Sequence, residues 1–426
     1  MLKGSVSSFF LTLLFFSTKV LCAPVSLKEL VSHGLKNTPS YQSSLNNLKI
    51  SENETRNALF SFFPSLDLTS EQGFASGTPF KNENLWSGTL SLSLSANLYN
   101  NGTNVIEYKR SHLIQKRRKI AQQKIRAELT LSIILQYFDI SLFDEIQLIQ
   151  DRQYQLLKKQ FHTVEALYKQ GRKKRIDYIR FKARVQRANL GFQNAQLKKE
   201  QAIEDLKKII AWKEKKLIIQ KQPIEFSSFK TKSGKVLFDN HYDSRISSLQ
   251  KEINEFEVDL EKRQYWPRVF LNTGVDYINS NYLDGLSSFS DNRQFNWSAI
   301  LSIDFNLWDF GIRRRNIETV RLEQMNLNNQ IDTQLLDLKA TINKNLLSIK
   351  QQKENFKLSQ ELLHIEKTNF ESIQRDYRNG KTTFLDLINS LDNYTNAQES
   401  FYTNYYRLKK SLSQYKFHQG TLYEDL

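Results

Sequence analysis

The stretch Asn97, Leu98, Tyr99, Asn100, Asn101, Gly102 returns as Asn306, Leu307, Trp308, Asp309, Phe310, Gly311, displaced by 209 residues (306 − 97). Tyr168, Gly171 and Asp177 return at the same displacement as Tyr377, Gly380 and Asp386. In each copy the two glycines stand 69 residues apart (171 − 102 and 380 − 311), so neither copy has gained or lost a residue between them. Loops tolerate insertions freely, whereas a continuous regular element does not. The spacing therefore predicts one very long helix in each half of a tandem duplication.

Upstream of the repeated stretch the hydrophobic period is two. Leu90, Leu92, Leu94, Ala96 and Leu98 alternate with Thr89, Ser91, Ser93, Ser95 and Asn97, and Leu66 and Leu68 alternate with Asp67 and Thr69 after Pro64. This predicts a β-hairpin over 65–99, with a polar break at Gly77 to Asn84. The second copy has the same arrangement over 268–308: Val269, Leu271, Val275 and Tyr277 follow Pro267, and Trp297, Ala299, Leu301, Ile303, Phe305 and Leu307 form the return strand. From proline to glycine the copies count 38 (102 − 64) and 44 (311 − 267) residues, which puts the extra six around Tyr282 to Asn292, at the second hairpin tip. Such strands are long enough to cross a bilayer when tilted, and Trp86, Tyr99, Trp297 and Trp308 sit where interfacial aromatics belong. An ordinary half-buried soluble sheet shows the same alternation. Four strands cannot close a barrel, so a membrane reading requires several chains.

Downstream come the long helices, 102–168 and 312–377. In the second copy Ile349, Phe356, Leu363, Phe370 and Tyr377 recur every seven residues, and Ile140, Gln147, Tyr154, Phe161 and Tyr168 keep the same steps in the first. A seven-residue seam imposes left-handed coiled-coil packing. Gly171 and Gly380 suit left-handed C-caps, after which returning helices are expected over 177–210 and 384–415. Ser26 and Glu29 match a capping box that opens a first helix running to about Phe62, and the second copy has a counterpart over about Asp243 to Gln264. The first repeat thus spans 24–212 and the second 241–418, joined by a connector at 213–240 and followed by a tail at 419–426.

Residues 1–23 have the form of a secretory signal: Lys3, the apolar run Phe9 to Phe16, and an exit through Leu21, Cys22 and Ala23. Cys22 is the only cysteine, so the mature chain carries either no thiol or one at its terminus. Val20 and Leu21 before it are larger than a lipidation motif favours. The formal charge of +16 would suit a nucleic-acid partner, but export argues against one, and the lysines and arginines are interspersed with acids as on solvated helix faces. Six histidines without metal spacing and the lack of nucleophile or nucleotide motifs leave no case for an enzyme, a metal or a cofactor. Basic clusters at Lys109 and Arg110, and at Arg313, Arg314 and Arg315, follow the strand exits, where they either reach anionic headgroups or are simply solvated.

Hairpin, long helix, Tyr-x-x-Gly turn, Asp and returning helix, twice over behind a signal, resemble the TolC family of outer-membrane channels. The likeness is strongest in Leu98 to Gly102, Leu307 to Gly311 and Tyr377 to Ala397. It implies a β-barrel of four strands per chain and twelve per homotrimer, continued by an α-helical coiled-coil barrel in the periplasm. The implied function is a passive exit duct for a periplasmic adaptor and an inner-membrane pump or ABC transporter, in efflux or type I secretion. Asp386 matches the first of two aspartates that form the family's gate constriction, and Asn389 stands at the second. Tyr377 and Asp177 match positions that hold the tip closed, while Thr382 replaces a supporting arginine. The turns Gly171, Arg172, Lys173, Lys174 and Gly380, Lys381 become candidates for adaptor docking. A periplasmic coiled-coil adaptor and a structural envelope protein are the rival readings.

Overall fold

The structure is a computed structural model that describes residues 24–78, 81–214, 217–221, 241–284, 288–420 and 422; the signal segment, Cys22 and most of the connector and tail lie outside them. Residues 27–60 form two helices, α1 (Leu27–Asn37) and α2 (Pro39–Phe60). Ser26 and Glu29 make the capping box reciprocally, at 2.8 and 3.3 Å. The sequence reading ran one helix through to Phe62, and Pro39 is the reason it breaks. A residue before proline is pushed out of the helical region, and Thr38 is extended, with its hydroxyl donating to the Ile209 carbonyl at 3.1 Å.

Strands β1 (Ser65–Thr78), β2 (Lys81–Asn100), β3 (Arg268–Asp284) and β4 (Ser288–Asp304) make one antiparallel sheet in chain order. Both ladders extend into the stretches read as polar tips, because pairing satisfies the backbone whatever the side chains. The last strand stops at Asp304, before the repeated stretch. Asp309 caps the turn instead, accepting from the Gly311 and Arg313 amides at 3.0 Å.

Helices α3 (Thr103–Lys169) and α6 (Ile312–Arg378) are 67 residues each. At 1.5 Å rise that is about 100 Å apiece. Each begins at a left-handed pair, Asn101–Gly102 and Phe310–Gly311, so the duplication extends to backbone angles. Each ends in a Schellman turn: Arg172 N–H donates to Leu167 and Lys381 N–H to Asp376, past Gly171 and Gly380 at φ +70° and +71°. Returning helices α4 (Arg175–Ile209) and α7 (Phe384–Gln419) pack on α3 and α6 respectively, and α3 also packs on α7. The seven-residue seam is buried at Ile342, Ile349, Phe356 and Phe370. In the first hairpin a second row with the same step is buried on α4, at Phe181, Ala188, Ala195 and Ala202.

Helix α5 (Tyr242–Arg263) lies along the upper part of α3. Arg110 pairs with Glu257, Arg117 with Gln250, and Lys124 with Asp243, a ladder with seven-residue steps on both antiparallel helices. Below it, His241 is 2% exposed and caps α5 through Nδ1, which accepts the Asp243 amide at 3.1 Å. That role leaves the proton on Nε2, which faces His418 Nδ1 at 3.2 Å. Asp243, with its partner Lys124 and Glu128 beyond, supplies the charge around the pair.

Burial lowers the pKa of both imidazoles, His418 to about 4 from 6.5. An unfolded chain then binds more protons than the folded one below pH 6.5, so stability is expected to fall from there toward pH 4. Melting of the solubilised protein at pH 7.5 and 5 reads this loss. His241→Asn together with His418→Phe should flatten it, and an equal slope in the variant would remove the pair from the acid response.

Candidate functional site

Two regions remain chemically exposed once the helices are packed. The first is the sheet. Cross-strand rows Leu68, Leu92, Val275, Trp297 and Leu66, Leu94, Thr273, Ala299 put the alternating apolar residues of all four strands on one face. Leu66, Leu68, Leu92, Leu301 and Ile303 are exposed there, and Trp297 is 76% exposed. The opposite face carries Asp67, Ser93, Gly274 and Ser298 in one row and Thr69, Ser91, Asp276 and Asn296 in the next. Within the chain nothing covers the apolar face among the described residues, and β1 and β4 each keep one unpaired edge. Trp308 and Phe310 extend the exposed aromatic zone beyond β4, with ring centroids 6.0 Å apart. The Trp86 side chain lies outside the described residues.

Two of the basic residues beyond the strands are occupied within the chain. Arg313 binds Asp309 at 2.6 Å and lies over the Tyr265 ring at 4.5 Å. Arg110 pairs with Glu107 and Glu257, which leaves Lys109, Arg314 and Arg315 as the exposed members of the clusters.

The second region is the far end of the long helices. Gly171, Arg172, Lys173 and Lys174 form an exposed basic turn, against which the other tip offers Gly380 and Lys381. Asp177 is half-buried in the first turn of α4, where the helix dipole favours a carboxylate. Asp386 is exposed and closes a capping box with Thr383, accepting from its amide at 3.1 Å and its hydroxyl at 2.5 Å. Thr382 donates to the same oxygen at 3.0 Å. Hydrogen bonds from the Thr383 and Thr382 side chains hold the Asp386 carboxyl below its ordinary range, so one chain by itself keeps it charged. Asn389 lies three residues on and is exposed.

Tyr377 is half-buried against Phe384, ring centroids 6.4 Å apart, and burial raises its pKa. Among the described residues no hydrogen bond joins it to Asp177. Sequence reasoning missed the contacts that do link the two tips. Phe181 stacks on Phe384 at 3.8 Å, and Arg184 pairs with Asp392, which also accepts from Gln153 Nε2 at 3.1 Å. The available signal was Phe181, which falls on the alanine seam of α4. Among the described residues no helix is long and apolar enough to cross a membrane, and no group of side chains could hold a metal ion.

The family model described as outer membrane efflux protein matches residues 250–414. No curated protein sequence matches the chain. Solved structures do. The CmeC outer membrane channel of Campylobacter jejuni aligns at TM-score 0.79 with 16% identity, covering 93% of this chain and 86% of its own. VceC of Vibrio cholerae, an outer membrane protein, aligns at 0.73 with 15% identity over 92% and 96%. The open-state MtrE outer membrane channel of Neisseria gonorrhoeae aligns at 0.73 with 16% identity over 93% and 89%. Its second repeat thus matches the model of the outer membrane efflux proteins, and the chain as a whole has the fold of the TolC-like channels.

Proposed function

We propose that the chain is one protomer of a trimeric outer-membrane channel, with its sheet in the membrane and its helices in the periplasm. It serves as a passive exit duct for an adaptor and an inner-membrane pump. The observation that carries this is the sheet: apolar on one face, polar on the other, and open at both edges. A bilayer accepts strands only when every edge is paired, and four strands are too few to close on themselves. Pairing β4 of one copy with β1 of the next satisfies both conditions.

The helices carry a matching need. Leu190 and Leu197 on α4, and Met325, Leu336, Leu347 and Leu358 on α6, are exposed in stripes. These are the flanks of α4 and α6 that a neighbouring copy can cover. No step of conduction needs catalysis, and the basic turn Arg172 to Lys174 offers adaptors a surface unlike that of Lys381.

Cysteines placed at Glu83 and Asp291, near the two hairpin tips, test the topology with an impermeant maleimide on intact cells. Labelling is expected without lysis, and labelling only after lysis would overturn the barrel. The proposed constriction has its own test. Asp386→Asn should remove most of the cation preference in planar bilayers, since Asn389 supplies no second carboxylate, while an amide oxygen at this N3 position can still accept from the Thr383 amide. An unchanged preference would put the constriction elsewhere.

A further inference from the structure

Helices α4 and α7 belong to different hairpins, and α3 packs against both. Near the tip they nevertheless meet side chain to side chain, at two points. Phe181 and Phe384 stack with centroids 3.8 Å apart and planes at 27°. Two turns further along α7, Arg184 reaches across to Asp392, and Gln153 of α3 donates to the second carboxylate oxygen at 3.1 Å. Both members of the ion pair are largely withdrawn from water, with side chains 23% and 27% exposed. The stretch of α7 between these contacts, from Phe384 to Asp392, contains Asp386 and Asn389. Those two side chains are themselves exposed, while Leu387, Ile388 and Leu391 are buried beneath them. Tyr377 and Asp177 make no such bridge here.

We infer that Arg184 and Asp392 are gate-positioning residues: together they pin the first turns of α7 to α4 of the first hairpin and so fix where Asp386 stands relative to the trimer axis. The inference rests on the channel reading above. An aromatic stack resists separation but allows sliding, whereas a two-oxygen carboxylate held by Arg184 and Gln153 defines both rotation and height. Losing one member leaves the other charge half-buried and unpaired, which favours any arrangement in which α7 moves off α4 and the charge reaches water. Both side chains are engaged between the two hairpins, so the pair acts through Asp386 and not on what passes.

The test is a charge swap read in planar bilayers with the full-length trimer. Arg184→Glu and Asp392→Arg are each expected to shift the ratio of conductance levels by about fivefold or more, as coupled neighbours do. The double variant, with the charges exchanged, should return the ratio to that of the wild type. A role confined to stability would lower trimer melting without moving that ratio. Asp392→Asn, nearly the same size, is the variant to read if a charge-adding single fails to assemble. Wild-type conductance in assembled singles, or a double variant no nearer to wild type than the singles, would overturn the inference. If wild-type trimers themselves conduct nothing, the channel reading fails instead, and the two failures are told apart.

Discussion

Leu92→Arg is expected to abolish insertion of the trimer, whereas Ser93→Arg, its neighbour on the same strand, should insert as the wild type does. Leu92 lies in the apolar row with Leu68, Val275 and Trp297, within a strand of 20 residues, and Ser93 lies in the polar row with Asp67. An arginine facing lipid near the midplane costs about 2–4 kcal/mol, and threefold symmetry triples that to about 6–12 kcal/mol per trimer. That is comparable with the whole stability of an ordinary domain. The lumen-side arginine meets water and the Asp67 carboxylate. Heat-resistant trimers in the outer-membrane fraction are the readout. Insertion of the Leu92 variant, or equal failure of both, would refute the assignment of faces.

Phe181→Ala should destabilise the periplasmic end by about 3–5 kcal/mol per chain, the range for emptying a buried aromatic site. The side chain is 1% exposed and contacts Phe384 and Phe161, at 3.8 and 6.5 Å between centroids. Because it joins the two hairpins, the loss should be local: earlier proteolysis at the turns around Gly171 and Gly380, with the sheet still resistant. Phe181→Leu, which keeps most of the volume, should lose less than half as much. Equal protease resistance in the alanine variant would show that the hairpins are held together by other contacts.

The architecture was legible because it rests on periodicity and on the invariant spacing of four glycines. A seam that recurs every seven residues admits one packing, and the buried Ile342, Ile349 and Phe356 lie on it. What escaped was set by single residues whose effect is not periodic. Pro39 broke a helix that the hydrophobic pattern would have continued. The strands ran past their apolar stretch because backbone pairing does not depend on side-chain polarity.

At the tip, sequence could place Asp386 in the first turn of a helix but could not show that Thr382 and Thr383 both bind it. The Arg184–Asp392 pair joins residues 208 positions apart (392 − 184), and no pattern along either helix marks it. The roles of Tyr377 and Asp177 came from resemblance alone, and in the single chain the two residues pack separately.

The ladder between α3 and α5 has the order charged, neutral, charged: Glu257, Gln250 and Asp243 facing Arg110, Arg117 and Lys124. A slip of one heptad would preserve the hydrophobic seam, which is why seams alone tolerate misthreading. After that slip Arg117 would meet Glu257 and Lys124 would meet Gln250, so one ion pair would remain where the native alignment has two. Each heptad of slip thus costs an ion pair that the seam by itself would not miss. The ladder therefore gives the two halves of the duplication an address: one frame in which both ion pairs form.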